Sequence, residues 1–279
     1  MIRQRKKNRI SIVMKSSACI LLAASALFLD AGCDPDPVEE YPTTGITLEL
    51  PGGVKLGLAR IESGTVNIPV HDSDSSFDAR LGVASDFHLG RAEVTQAQWK
   101  AVMGDNPSKV KGDDLPVTNV TWYDAKKFCG KLNRLYANRL PQGYHFDLPR
   151  ETQWKYAFCG GTKSRGEKFC GSDDLDEVAW HGENSGGKLH PVAKKKPNEL
   201  GLYDMEGNVA EWCLDSCYDG FFVGKEGKLV MGGFFKESKT SLEFCSRKLR
   251  YYGNRWADSP VTRRDDCGFR VALVPIESR

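Results

Sequence analysis

The chain has 279 residues, of which 40 % are hydrophobic, enough for one large packed domain or two small ones. Its 39 Lys and Arg face 37 Asp and Glu; residues 1–32 hold six of those bases and one acid, which leaves 33 against 36 and a charge near −3 for the rest. With no positive surplus beyond its first residues, the chain offers no electrostatic footprint for nucleic acid.

In chain order, Arg3, Arg5, Lys6, Lys7 and Arg9 make a basic start. Ser16 to Leu29 form an apolar run shorter than the roughly 20 residues that span a bilayer, which predicts a signal peptide rather than an anchor helix. Met14-Lys15 would itself serve as a signal-peptide start. Leu29-Asp30-Ala31-Gly32-Cys33 resembles a bacterial lipobox with Cys33 as the lipidated residue, although Asp30 stands where an aliphatic residue is usual. The expected location is therefore the bacterial cell envelope, exported and lipid-anchored at Cys33, with a secreted or periplasmic soluble protein as the alternative. Asp34 to Thr44, with four acids and three prolines, reads as a solvated tether. No repeat, long linker or low-complexity block interrupts residues 46–275. The expected organisation is a leader (1–32), a tether (33–45) and one domain (46–276).

Within the domain, Ile46–Leu50 and Val54–Ile61 read as strands, as do Leu229–Gly232 and Phe269–Val274. Thr95 is placed to cap a helix running through Trp99 to Met103, and Thr121 one over Trp122 to Tyr136. Arg150 to Phe158 reads as a third helix, with Glu151 in its first turn. Elsewhere glycines and prolines break the pattern every few residues, which predicts short strands joined by long ordered loops.

Chemistry concentrates in Asn198 to Trp212, N-E-L-G-L-Y-D-M-E-G-N-V-A-E-W. Gly201 and Gly207 open backbone conformations closed to other residues, and Asp204, Asn208 and Glu211 put three oxygen-bearing side chains on one bend. Calcium takes such mixtures of carboxylate and carbonyl oxygen; a polar turn packed by Leu202, Tyr203, Met205 and Trp212 is the plainer alternative. The wording resembles the central motif of the formylglycine-generating enzyme family, also called the sulfatase-modifying-factor domain. Other matches come in order: Glu93-Val94-Thr95 with Gln98-Trp99, Asn106-Pro107-Ser108, Pro116 to Trp122, Leu148 to Trp154, Gly232-Gly233 and Gly268-Phe269-Arg270. Together the blocks span about Leu48 to Val274.

That resemblance implies a C-type-lectin-like α+β fold with few helices, short antiparallel strands, little other regular structure, and bound calcium. Carried over, the calcium site falls on the side chains of Asp204 and Glu211 and the carbonyls of Gly207 and Val209. A second family site should fall near Asn184-Ser185, where the spacing differs, while Asp173, Asp174 and Asp176 read as a solvated acidic turn. Seven cysteines follow Cys33, an odd number in a chain expected to meet an oxidising compartment. Cys129 matches a disulfide cysteine of the family whose partner lies near the final Gly-Phe-Arg, with Cys267 the nearest candidate. Cys159 with Cys170 would close a short loop, and Cys213 with Cys245 would leave Cys217 over.

Enzymes of the family oxidise a substrate cysteine to formylglycine with molecular oxygen, at copper(I) held by two cysteines on the segment after Gly-Gly-Ser. Thiolates suit that ion. Here the segment reads Gly232-Gly233-Phe234, and the two cysteine places fall near Glu237 and Leu242, so copper is not expected. Cys245 is the one sulfur on that segment, and Cys213 and Cys217 are similarly spaced on another; these three are the only catalytic candidates. The five histidines are scattered without a His-x-x-x-His pair, and neither a Gly-x-Ser-x-Gly elbow nor a phosphate loop occurs. Phe234, Arg247, Arg250, Tyr252 and Trp256 could line a ligand groove, or the rings fill the core and arginines pair with Asp258, Asp265 and Asp266. The expected function is a calcium-stabilised binding or scaffold module for a protein, peptide or glycan at the envelope. The alternative is a formylglycine-generating oxidase acting on a sulfatase cysteine.

Overall fold

The computed structural model describes residues 45–71, 76–217, 227–243 and 256–276; the leader, Cys33 and the tether lie outside them. Strand β1 (Ile46–Glu49) turns through Pro51–Gly53 into β2 (Lys55–Ile61), with Gly52 at φ 80° where a side chain would be strained. Their register pairs Leu48 with Leu56, so the alternation lays both leucines on the buried face. Strand β3 (Gly64–His71) and β4 (Ser76–Val83) form a separate hairpin, and β5 (Phe87–Gly90) returns to β2. With β6 (Tyr144–Asp147) and β11 (Ala272–Pro275) these complete a five-stranded sheet, ordered β1-β2-β5-β11-β6. The outer edge of β6 is closed by a side chain: Asn133 donates to Phe146 O at 2.9 Å and accepts from Phe146 N at 2.6 Å. That amide takes the place of a neighbouring strand and blunts the edge.

Helix α1 (Gln96–Met103) starts at Thr95, whose hydroxyl accepts from Gln98 N while Gln98 Oε1 accepts from Thr95 N. Helix α2 (Trp122–Leu135) repeats the device with Thr121 and Asp124 and buries Ala125, Phe128, Cys129 and Leu132. Trp99 stacks on Phe128 at 5.6 Å and meets the edge of Phe269 at 6.0 Å. This is the centre of the larger core cluster. Helix α3 (Glu151–Phe158) places Trp154 and Tyr156 in a second cluster with Phe87, Leu89 and Met231. A four-residue helix, α4 (Leu175–Val178), comes next.

The second sheet is ordered β10-β7-β8-β9, from β7 (Ala210–Cys217), β8 (Gly227–Met231), β9 (Trp256–Asp258) and β10 (Cys267–Gly268). Of the expected strand Phe269–Val274 only residues 272–274 are strand, within β11. Residues 267–268 pair in parallel with β7, residues 272–275 run antiparallel to β5 and β6, and Phe269 to Val271 cross from one sheet to the other. A Cβ on Gly268 would lie 2.5 Å from Val117 O, so glycine alone fits where the crossing starts. Arg270 lies in the middle of this crossing, completely buried.

Candidate functional site

The segment from Asn198 to Trp212 folds as a knot of backbone bends held by its own amides. Asn198 Oδ1 accepts from Leu200 N and Leu202 N, and its Nδ2 donates to Ala157 O at 2.8 Å. Asp204, Gly207 and Asn208 have φ of 51°, 73° and 51°. The glycine is demanded by space as well, since a Cβ there would lie 2.1 Å from Trp180 O. Asn208, fully buried, donates to Glu93 Oε1 at 3.1 Å and to His190 O at 3.3 Å, and accepts from His190 N. This ties the bend to the start of the α1 segment and to the His190 loop, where Trp180 stacks on His190 at 3.7 Å.

At the centre, Glu211 and Arg270 form a two-pronged buried ion pair. Nε donates to Oε2 at 2.7 Å and Nη2 to Oε1 at 2.6 Å, while Trp154 Nε1 donates to Oε2 at 2.8 Å. The guanidinium also donates to Gly90 O at 3.0 Å and Tyr203 O at 2.9 Å, so one side chain bonds both sheets and the bend. Two further acids surround it. Glu93 is 1 % exposed and Asp204 2 %. Asp204 Oδ2 accepts from Ala193 N at 2.6 Å, whereas Asp204 Oδ1 and Glu93 Oε2 are buried without a hydrogen-bonding partner. Burial, reinforced by the neighbouring acids, pushes the Glu93 carboxyl well above its usual range and Asp204 up to about 6.

Of the four residues expected to hold calcium, Glu211 is spanned by Arg270 and Trp154, and one Asp204 oxygen is bonded to Ala193 N. Calcium takes six to eight oxygens. Among the described residues, no group of three or more His, Cys, Asp or Glu is set to hold a metal. As arranged, the set does not fit calcium, because a cation at Glu211 would have to displace a guanidinium already in ion-pair contact. Near the second expected site, Asn184 donates to Asp176 Oδ1 and Ala179 O and accepts from His181 N. Ser185 donates to Phe235 O. Asp176 is also no merely solvated acid: it binds Lys239 at 2.5 Å and the buried His181 at 2.7 Å. Those two bonds hold its carboxyl down at about 2.

Cys129, Cys159, Cys170, Cys213 and Cys267 are all buried. Cys159 lies close enough to Cys170 to act on its thiol, and Cys245, the partner expected for Cys213, lies outside the described residues. Cys129 lies by Asp147 and Lys126, between α2 and β6, whereas Cys267 is surrounded by Arg264, Asp266 and Asp258; the two thiols occupy different environments in one core cluster. Burial pushes the Cys129, Cys170, Cys213 and Cys267 thiols far up, which makes them poor nucleophiles. Cys213 and Cys217 lie four residues apart on strand β7, whose register shifts between Trp212 and Ser216, and the side chain of Cys217 lies outside the described residues. Cys245, Arg247, Arg250 and Tyr252 lie outside the described residues, as does the side chain of Trp256.

Around Gly233 the two places expected for copper-binding cysteines do converge. A Cβ on Gly233 (φ 71°) would lie 2.3 Å from Leu242 Cδ2 and 2.9 Å from Glu237 Oε2. Sulfur is absent from both. Ser241 donates to Glu237 Oε1 at 2.6 Å, and Leu242 is packed with Phe169, Leu175, Val178 and Ala179. Beside them, the ring of Phe234 lies 5.6 Å beneath the guanidinium of Arg264, which pairs with Asp266.

A model of the sulfatase-modifying factor enzyme 1-like domain matches residues 57–274. The chain belongs to that family. "Chaperone protein LppX" of Paenibacillus barcinonensis is 38 % identical over 189 residues, 51 % of this chain and 67 % of that protein. "Inactive C-alpha-formylglycine-generating enzyme 2" of Mus musculus is 28 % identical over 196 residues, 64 % of this chain and 56 % of the mouse protein. Among solved structures, "Treponema denticola variable protein 1" superposes with a TM-score of 0.67 at 32 % identity, covering 84 % of this chain and all of that one. The expected fold is thus the observed one: α+β, with few helices and short, mostly antiparallel strands among the described residues, on the family's formylglycine-generating-enzyme architecture.

The sequence alone points to Asp204 and Glu211 and misses what they contact. Glu93 and Trp154 stand in it only as parts of matching blocks, and Arg270 as one of several arginines crowded near the end of the chain. The available signal is position: an acid directly before a helix-capping Val-Thr, and an arginine between two fully apolar residues.

Proposed function

We propose that the chain is a member of this family that works as a binding or scaffold module, without the copper-dependent oxidation, lipid-anchored at Cys33 on the bacterial cell envelope. Its ligand in this reading is a protein or peptide. The observation that carries the reading is the meeting of Glu237 and Leu242 at Gly233, a carboxylate and an aliphatic group where copper(I) needs two thiolates. Two kinds of relative support it: one named a chaperone, which points to protein contacts, and one named inactive. Lipid anchoring rests on the lipobox-like ending at Cys33 and the acidic, proline-rich tether after it. The fixed positive charge beside Glu211 is Arg270, and a calcium ion at Glu211 would have to displace it.

Copper(I) titration of the full chain against a competing chelator, with oxygen uptake in the presence of a cysteine-containing peptide, tests the central claim. The expected outcome is no tight copper binding and no conversion of the peptide. Stoichiometric two-thiolate copper binding together with oxygen-dependent loss of the peptide thiol would overturn it and restore the oxidase. Radiolabelled palmitate incorporation, abolished by Cys33→Ala, tests the anchor.

A further inference from the structure

Between Asp124 and Asp147 the sequence holds Lys126, Lys127, Lys131, Arg134 and Arg139 and no acid. Beyond residue 32 the chain is slightly acidic, so this stretch, most of α2 and the turn after it, departs from its background. Lys126 is paired with Asp147, and Lys131 Nζ donates to Val102 O at 3.1 Å, at the end of α1. Lys127, Arg134 and Arg139 have no acid in ion-pair contact among the described residues. The acids nearby are taken: Asp124 pairs with Arg263 at 2.8 Å, and Asp105 accepts from Trp99 Nε1 at 3.0 Å. Glu49, at the end of β1, and Arg139 act on the Tyr136 phenol with opposite sign and so offset one another. Lys127, Lys131 and Arg134 are left as a net positive face.

Helical geometry gathers these charges. At 3.6 residues per turn, Tyr123, Lys127, Gly130, Lys131 and Arg134 fall within an arc of about 100°, opposite the buried Ala125, Phe128, Cys129 and Leu132. Tyr123 is 55 % exposed at one end of this side and Leu135 42 % exposed at the other, about 18 Å apart along the helix. A Cβ on Gly130 would meet nothing within 4 Å, so the middle of the stripe is low and open. Cations in the middle with an aromatic and an aliphatic group at the ends match the headgroup layer of a bilayer. There lysine and arginine meet phosphates, tyrosine sits at headgroup depth, and a leucine dips further in.

We infer that the solvent side of α2 lies against a bilayer containing anionic phospholipid, so that the domain is held in one orientation with α2 toward the membrane. The inference rests on the proposed lipid anchor at Cys33 and adds which side of the domain the anchor brings down. Geometry allows it. The chain between Cys33 and Gly45 leads into β1, and β1 is bonded to the end of α2, where Tyr136 Oη donates to Glu49 O at 2.8 Å. Residues 33–44 reach about 40 Å at most when extended, enough for α2 to touch the surface that holds Cys33. The four acids of the tether are the competing occupant of the same face. They would have to order a flexible segment to stay there, whereas an anchored domain meets the bilayer without that cost.

The test uses the full chain, processed in cells and placed on vesicles of phosphatidylcholine alone or of phosphatidylcholine with about one third phosphatidylglycerol. Amide hydrogen exchange in the exposed turn at residues 137–143 reports contact. Exchange there is expected to be at least threefold slower on the anionic vesicles than on the neutral ones, and the difference should vanish in 0.5 M salt, where the screening length is about 4 Å. Lys127→Glu/Arg134→Glu, at two exposed positions without ion-pair partners, should abolish the difference while leaving the melting temperature unchanged. Equal exchange on the two kinds of vesicle, or a difference that survives in the variant, overturns the inference. Slow exchange on both kinds that is released by Asp34→Asn/Asp36→Asn/Glu39→Gln/Glu40→Gln overturns it too, and assigns the face to the tether. A chain that fails to sediment with the neutral vesicles has no lipid anchor, which sinks the envelope reading; the face is then read from sedimentation with the anionic vesicles, where equal recovery of the native chain and the Lys127/Arg134 variant overturns it.

Discussion

Replacing Arg270 by methionine probes the central ion pair most directly, because the new side chain fills similar space and donates nothing. In the native chain that guanidinium gives two bonds to Glu211 and one each to Gly90 O, Tyr203 O and Asp204 O, between 2.6 and 3.3 Å. Removing one member of a buried pair costs about 3–5 kcal/mol, because the other charge stays behind without compensation. Three carbonyls also lose a donor, so about 4 kcal/mol is a lower figure to expect for Arg270→Met, a large share of the 5–15 kcal/mol typical of a domain. The double variant Glu211→Gln/Arg270→Met removes both charges, and its glutamine oxygen can still accept from Trp154 Nε1. It should recover about 2 kcal/mol relative to Arg270→Met alone. Urea unfolding followed by the fluorescence of the buried Trp154 and Trp212 reads all three proteins, and Arg270→Lys supplies a milder step should the methionine variant fail to fold. The reasoning is refuted if Arg270→Met costs less than about 1 kcal/mol, or if the double variant is as damaged as the single. The same curves measured with and without EDTA speak to the ion itself: no shift is expected for the native chain, and a loss of several kcal/mol on chelation would mean that calcium, rather than Arg270, neutralises Glu211.

The same geometry fixes three further outcomes. Asp204 is an acid raised from 3.8 to about 6, so the fold favours its protonated form; its effect on stability is absent below pH 4, grows unfavourable as pH rises from about 4 to 6, and is constant above. At about 1.4 kcal/mol per unit this amounts to about 3 kcal/mol, and Asp204→Asn should lose that slope and gain stability at pH 8 relative to pH 4; parallel pH profiles for the two proteins would contradict it. Gly207→Ala combines a positive φ with a Cβ 2.1 Å from Trp180 O, and should lower stability by about 3 kcal/mol or more in thermal melts while disturbing the Trp180–His190 stack. Finally, Glu237→Cys/Leu242→Cys places two thiols where their side chains already meet at Gly233. The double variant should bind copper(I) with near one-to-one stoichiometry where the native chain binds none, and equal copper binding by the two proteins would show that the metal is held elsewhere.

What the sequence made legible was whatever depended on local rules. Thr95 and Thr121 mark helix starts as capping residues, and both helices begin where those residues place them, each start closed by a reciprocal bond, from Gln98 and Asp124, that the structure adds. Strands β1 and β2 fall within the runs Ile46–Leu50 and Val54–Ile61 read as strands from sequence. The stretch Phe269–Val274 was legible only at its end, because apolar residues flank Arg270 on both sides while the chain changes sheets there, and that change follows Val117 O pressing on Gly268 and Glu211 drawing in Arg270. Both are contacts between residues far apart in the chain. The same holds at the centre: Glu93, Asp204 and Glu211 are acids scattered over more than a hundred positions, and nothing local announces that they share one guanidinium. Asp204 and Glu211 suggested an ion because the sequence shows donors and hides their partner. An arginine can neutralise a buried acid as a metal does, yet as a residue type it reads as surface charge, so a carboxylate cluster in a loop-rich chain is ambiguous until it is known which cation, bound ion or side chain, faces it.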